Sequence, residues 1–271
     1  MLQRFNLTPP EGNLLADKNQ AWWNEQKFSE LTGFQVQLDL EIIANLEAQK
    51  AKIDQKLAEL SDTQPWADQM VFLMQIPGYG LLTSMILLAA VGDITRFSHP
   101  KKLVGYAGLG AGVHDSGQKH QEKSITKEGR KELRWALVQA AWAAVRSDPY
   151  WKDQYQRLTK VKQPNKAIVA IARRLLVSAW HILTKREPYR QANQETIAYK
   201  MMTSVPLAGI WSQRMDEKAL RGLTRQQFIK YGLLRLGVGQ DLTRIERKGV
   251  PRRIAPANEV FKLRPDLRPP D

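Results

Sequence analysis

The sequence predicts an all-α protein, on three observations. Helix formers (Ala, Leu, Lys, Gln, Arg) crowd its 271 residues, apolar residues recur at three- and four-residue steps, and runs alternating in the strand period are scarce. There are enough apolar side chains for one or two packed cores. Cysteine is absent, which excludes disulfides and thiolate metal sites and fits a reducing, cytoplasmic setting. The longest apolar stretches, 70–74 and 85–91, fall far short of the ~20 residues of a membrane span, so no membrane role is expected. The start of the chain carries no apolar signal core.

The elements follow in order. Residues 1–33 form an N-terminal segment whose start, with Pro9, Pro10 and Gly12, is poorly patterned. Phe34, Leu38, Ile42, Leu46, Ile53, Leu57 and Leu60 then mark an amphipathic helical arm over 34–64. Leu46, Ile53 and Leu60 keep one heptad position, so the arm predicts a homo-oligomer through a coiled coil, with Gln49 and Lys56 spoiling the seam. Packing on its own domain is the alternative. Asp62-Thr63-Gln64-Pro65 ends the arm and opens a domain over 65–190. Within it Ile76-Pro77-Gly78-Tyr79-Gly80 separates two helices, and Gly92 ends the apolar run after Gly80. Ser98 with Pro100 opens a short helix. Residues 108–125, with four glycines, read as a loop or small hairpin. Helices follow at 127–146 and 166–184, with Asp148-Pro149 as a cap and first-turn proline between them. A basic C-terminal extension covers 191–271, helical over 217–236 and a Pro- and Arg-rich tail over 247–271.

The net charge is +14, unevenly spread. Residues 1–64 hold 6 Lys/Arg against 10 Asp/Glu, whereas 149–190 hold 10 against 2 and 191–271 hold 15 against 8. Such an excess points to a polyanionic partner, DNA or RNA, for the later part of the chain.

Two motifs could carry chemistry. The Pro-Gly-Tyr-Gly turn fits a helix-hairpin-helix, in which Gly78, Tyr79, Gly80 and Thr83 would offer backbone N–H groups to a DNA phosphate at a helix N-terminus. Such a contact ignores base sequence. The second is His114-Asp115-Ser116-Gly117-Gln118-Lys119-His120. A serine hydroxyl can attack a phosphodiester once its proton is removed and the phosphate charge is neutralised. Lys119, His120, Lys123, Lys127, Arg130 and Arg134 are the candidate phosphate or RNA contacts around it. Trp142 and Trp180 lie on apolar helix stretches and read as core. Tyr150, Trp151, Tyr155, Arg157, Lys160 and Lys162 form an aromatic-basic cluster open to either nucleic-acid contact or a solvated surface. No His/Asp/Glu group has metal-ligand spacing, and no phosphate loop of the nucleotide-triphosphate type is present.

The order of several short motifs carries a resemblance. Ile76-Pro77-Gly78-Tyr79-Gly80, Gly92-Asp93-Ile94 with Arg96-Phe97, and Lys102-Leu103 with Tyr106-Ala107-Gly108-Leu109 come first. Ser116-Gly117, Ile125-Thr126-Lys127 with Gly129, and Leu133-Arg134 with Leu137 follow. Together with Lys166-Ala167-Ile168 and Ala172-Arg173-Arg174-Leu175-Leu176, this order resembles the transposase domain of the insertion sequence 110 family, over about residues 30–190. The resemblance implies DNA transposition by site-specific recombination guided by a structured bridge RNA, with Ser116 as the catalytic nucleophile that joins DNA through a phosphoserine. It further implies a separate amino-terminal acidic domain of ribonuclease-H type. That domain would supply the carboxylates for divalent metal (Mg), and this chain, starting at the helical linker, is expected to lack both the domain and a cofactor of its own. Arg130, where the family often has Asn, and Ser124, where Gly is frequent, depart from the pattern. The alternative is a non-catalytic nucleic-acid-binding or assembly module, or a decayed transposase.

Overall fold

The computed structural model describes residues 7, 8, 10, 11, 14, 19–61, 63–116, 119–187, 189–191, 193–203, 224–235, 238–247, 249–265 and 268. The chain divides into two compact units, 1–53 and 54–271.

The first unit contains α1 (Gln20–Glu25) and most of α2 (Glu30–Ser61). Trp22 and Trp23 meet edge to face at 5.1 Å, and the Trp23 indole N–H donates to the Leu14 carbonyl at 3.1 Å. α2 starts four residues before the expected arm. Val36 is buried, but Phe34, Leu38, Ile42, Leu46 and Ile53 stand exposed along it. At 3.6 residues per turn these five fall within a stripe about 120° wide.

The second unit is built on α3 (Ala67–Leu73), α4 (Leu81–Val91), α5 (Pro100–Tyr106), α6 (Lys131–Ser147), α7 (Pro149–Thr159) and α8 (Pro164–Lys185). Local chemistry sets their ends. Gly92 terminates α4 at φ 61°. The Asp148 side chain accepts from the Trp151 N–H, with Pro149 next in line, so the expected cap of α7 is formed. At α5 it is His99, not Ser98, whose side chain accepts from the Lys101 N–H.

α8 packs against α3, α5, α6 and α7. Its Ile171, Ala172, Leu175, Leu176 and Ala179 have no exposed surface. By length and composition alone this helix could cross a membrane, yet half of its apolar window is buried inside the protein. The helix expected at 166–184 is present, and Lys166, Arg173 and Arg174 interrupt its apolar run.

A second, smaller core lies towards the C-terminus. There α9 (Gln194–Thr203), α10 (Arg225–Arg235) and α11 (Ala257–Leu263) accompany a hairpin of β3 (Arg244–Arg247) and β4 (Val250–Arg253). Ile197, Ala198, Met202, Ile229, Leu233, Ile245 and Ile254 form its interior. The expected tail over 247–271 is therefore corrected in its described part: Ile254 and Val260 are fully buried, which ties residues 254–260 down. The N-terminal part of the helix expected at 217–236 falls outside the described residues. Besides α helices, the described residues hold two short antiparallel hairpins and a 3-10 turn, so the fold is largely α as expected.

Candidate nucleic-acid interface at the serine hairpin

Residues 108–125 resolve into a hairpin, β1 (Ala111–Ser116) and β2 (Lys119–Ile125). Across the ladder Ser116 pairs with Lys119, Asp115 with His120 and Ala111 with Ile125, with an irregularity between Ala111 and Val113. Ser116 thus ends β1 at the tip. Five strand steps, roughly 17 Å, separate it from the start of β1.

The base of the hairpin is pinned by backbone and side chain together. Thr126 N donates to Gly110 O at 3.0 Å, and Arg130 N to Tyr106 O at 3.1 Å. Gly129 lies so close to the preceding helix end that an added Cβ would meet Tyr106 O at 2.1 Å and Gly108 N at 2.3 Å. Only glycine fits there. Lys127 adopts φ 59°, a left-handed conformation uncommon outside glycine, where the chain turns into α6. The Arg130 Nε donates to the Tyr106 hydroxyl at 3.1 Å, and that hydroxyl donates to Ala90 O at 2.9 Å. Arg134 donates to Lys127 O at 3.2 Å. Arg96 lies over the Phe97 and Tyr106 rings, at 5.0 and 5.2 Å from their centres.

The sequence-predicted contacts therefore fall into two groups. Lys119 and His120 share the tip of the ladder with Ser116, and Lys123 stands further down β2. Lys127, Arg130 and Arg134 gather at the base, the first two exposed and Arg134 half-buried. Tyr106, which holds Arg130, was quoted in the motif order but not singled out. Its spacing from Arg130 carries no local signal.

The Pro-Gly-Tyr-Gly turn is placed differently from expectation. Tyr79 is fully buried, and its phenol is pushed well above the ordinary tyrosine range by desolvation. The Tyr79 N–H donates to Ile76 O within the turn, so neither it nor the ring is open to a phosphate. Gly78 has φ 82°, and a Cβ there would lie 2.0 Å from the Ala140 carbonyl oxygen on α6. The Lys200 ammonium on α9 donates to the carbonyls of Met74, Ile76 and Tyr79 at 3.0, 2.7 and 3.0 Å. The turn's carbonyls thus surround a cation from its own chain. Gly78, Gly80, Leu81 and Thr83 remain partly accessible, and Leu82 on the first turn of α4 more so. Burial of Tyr79 corrects its assignment as a contact. The physical reason is that α6 and Lys200 occupy the space a ligand would need.

In the aromatic-basic cluster, Trp151 is buried and the half-buried Tyr155 ring lies 5.6 Å from that of Trp142, tilted by 59°. Arg157 pairs with Asp153 at 2.9 Å. Tyr150, Lys160 and Lys162 stay exposed. Trp142 and Trp180 pack against the core, and the Trp180 indole N–H donates to Phe97 O. Among the described residues no three His, Asp or Glu side chains come together as a metal ion would require.

Residues 70–156 match the transposase IS116/IS110/IS902 family. The match runs from within α3 to within α7 and includes both strands of the serine hairpin. Among curated relatives, the transposase for insertion sequence element IS1111A of Coxiella burnetii is 34% identical over 122 residues, 44% of this chain and 34% of that protein. The pilin gene-inverting protein of Moraxella bovis is 32% identical over 142 residues, 51% of this chain and 44% of that protein. The insertion element IS900 uncharacterized 42 kDa protein of Mycobacterium paratuberculosis is 27% identical over 171 residues, 60% and 42% of the two chains. The chain spans less than half the length of these relatives.

Proposed function

We propose that this chain acts in DNA transposition by site-specific recombination, with Ser116 as the nucleophile. One observation carries the reading. Ser116 ends a strand of a hairpin, inside the stretch that matches a transposase family, and faces Lys119 across the ladder. In the reaction the serine oxygen bonds to phosphorus as the bond to one ester oxygen of the DNA strand breaks. The serine proton passes to a base, and the departing oxygen gains a proton to become a hydroxyl. The ester energy is kept in the protein–phosphate bond, so attack by a DNA hydroxyl can rejoin strands and restore the serine.

Lys119, His120 and Lys123 on β2 would hold the phosphate near Ser116. Lys127, Arg130 and Arg134 at the hairpin base would grip the backbone, or a structured guide RNA, further away. The relatives' names agree with this reading: one is called a transposase and another a protein that inverts a gene. A serine hydroxyl is a weak nucleophile at neutral pH, and the described residues offer no metal cluster. The proposal therefore includes a separate acidic, metal-binding domain and a bridge RNA as partners. A second copy of the chain would join through the exposed stripe of α2.

A second reading, a binding-only module, is favoured by one feature. Arg130 and Arg134 make hydrogen bonds that hold the hairpin base, and these serve architecture without catalysis. A recombination assay separates the two. Donor and target plasmids are supplied with guide RNA and an acidic domain from a relative. Wild type is expected to give recombinants, and Ser116→Ala to give none while still binding DNA. Recombination by Ser116→Ala at the wild-type rate would remove the proposed role.

A further inference from the structure

We propose that the β3–β4 hairpin is a second DNA-binding element, a basic ribbon that enters the major groove of duplex DNA. The proposal rests on the reading of this chain as a DNA-acting protein, but it concerns residues outside the matched stretch 70–156.

The ribbon places like charges against one another. Arg244 pairs directly with Arg253 across the ladder on one face, and Arg252, opposite the buried Ile245, lies on the other face. All three arginines are exposed. The acid on the ribbon, Glu246, opposes Pro251 and so neutralises no arginine directly across the ladder. Like charges facing each other destabilise a two-stranded sheet, and a hairpin of this size is only marginally stable by itself. Such an arrangement is relieved when a polyanion lies between the charges.

The ribbon is also anchored. Ile245 is buried and the residue after β4, Ile254, is fully buried, both in the small C-terminal core. Every residue of β4 is exposed. One side of the ribbon is thus tied down through β3 while the other strand faces solvent. Three strand steps give each strand a length of about 10 Å. The major groove of B-form DNA, ~12 Å wide and ~8.5 Å deep, admits a two-stranded ribbon. In A-form duplex RNA that groove is too narrow for side chains to read. The geometry therefore selects DNA.

The test uses the full chain with Arg244, Arg252 and Arg253 all replaced by Ala, and a second variant with all three replaced by Lys. Binding to a 30-base-pair DNA duplex and to an RNA duplex of the same sequence is measured across salt concentrations, with guanine N7 methylation interference on the DNA. Losing three phosphate contacts is expected to flatten the slope of log affinity against log salt by about 2.7, at ~0.9 per contact. DNA affinity at moderate salt should fall at least tenfold, and major-groove interference should disappear. The Lys variant should keep the slope. Because the three side chains are exposed, neither variant should melt below wild type. Unchanged DNA affinity and slope in the Ala variant, with wild type binding normally, overturns the ribbon and leaves the proposed function standing. Equal weakening on RNA overturns the groove assignment. Absence of DNA binding by wild type overturns both.

Discussion

Lys200 Nζ donates to the Ile76 carbonyl at 2.7 Å, across 124 positions of sequence, and completes a three-carbonyl cradle with Met74 and Tyr79. The contact joins α9, a member of the small C-terminal core, to the turn between α3 and α4. Replacing Lys200 with Met keeps the chain volume but leaves the carbonyls without their cation. Unfolding in denaturant should then show a loss of about 1–3 kcal/mol. A loss under about 0.5 kcal/mol would show that water satisfies these carbonyls equally well.

The two glycines of the same turn should behave differently. Gly78 combines a left-handed φ with a 2.0 Å clash between an added Cβ and Ala140 O. Gly80 has φ −108° and open space around it. Gly78→Ala is expected to destabilise on the order of 3 kcal/mol or more, from strain and overpacking together. Gly80→Ala should change stability by about 0.5 kcal/mol or less, as for an ordinary surface position. Comparable melting of the two variants would contradict the close packing of the turn on α6.

This turn also shows where sequence reading stopped. The pattern gave two helices and a tight connection, and both exist, because Gly92 and the apolar spacing of 81–91 act locally. The Tyr79 carbonyl is held by Lys200, which lies 121 positions away and leaves no periodic trace. The serine segment was legible as a loop or small hairpin from its glycines. That Lys119 faces Ser116 while Arg130 sits at the base follows from the ladder register, which spacing alone does not supply. The C-terminal hairpin was missed for another reason. β4, Val-Pro-Arg-Arg, falls in the stretch 247–271 whose Pro and Arg content reads as tail, and β3 lies almost wholly before it. Only the buried Ile245 and Ile254 betray a core.

The apolar stripe of α2 gives a prediction about assembly. Phe34, Ile42, Leu46 and Ile53 are each more than half exposed, a costly surface for a helix in water. With Leu46→Asp and Ile53→Asp, sedimentation should report a monomer where the wild-type chain self-associates at tens of micromolar, a range typical of weak complexes. A wild-type chain already monomeric there would exclude the stripe as an interface of this affinity.

A pocket of about 330 Å³ at the end of α8 is lined by Ser178, His181, Lys185, Glu187, Tyr189 and Arg190, among others. Burial, and then the charges of Lys185, Arg190 and His99, hold the His181 imidazole below the ordinary 6.5. A depressed folded-state value means the unfolded chain binds more protons in the interval just below pH 6.5. This group's contribution to stability therefore rises with pH through that interval and is flat above it. Nuclear magnetic resonance titration should place the His181 midpoint below 6.5, and Lys185→Gln should move it upward. A midpoint above 6.5, or a downward move, would contradict the arrangement.

The central claim is that Ser116 becomes covalently joined to DNA. The most direct measurement is a denaturing-gel shift of labelled DNA incubated with the chain, an acidic partner domain, divalent metal and guide RNA, followed by mass-spectrometric mapping of the attached residue. The account predicts an adduct that maps to the peptide carrying Ser116. It should vanish in Ser116→Ala, whose nucleic-acid binding is kept because one hydroxyl contributes little to phosphate affinity. An adduct that persists in Ser116→Ala, or maps to any other residue, would contradict it.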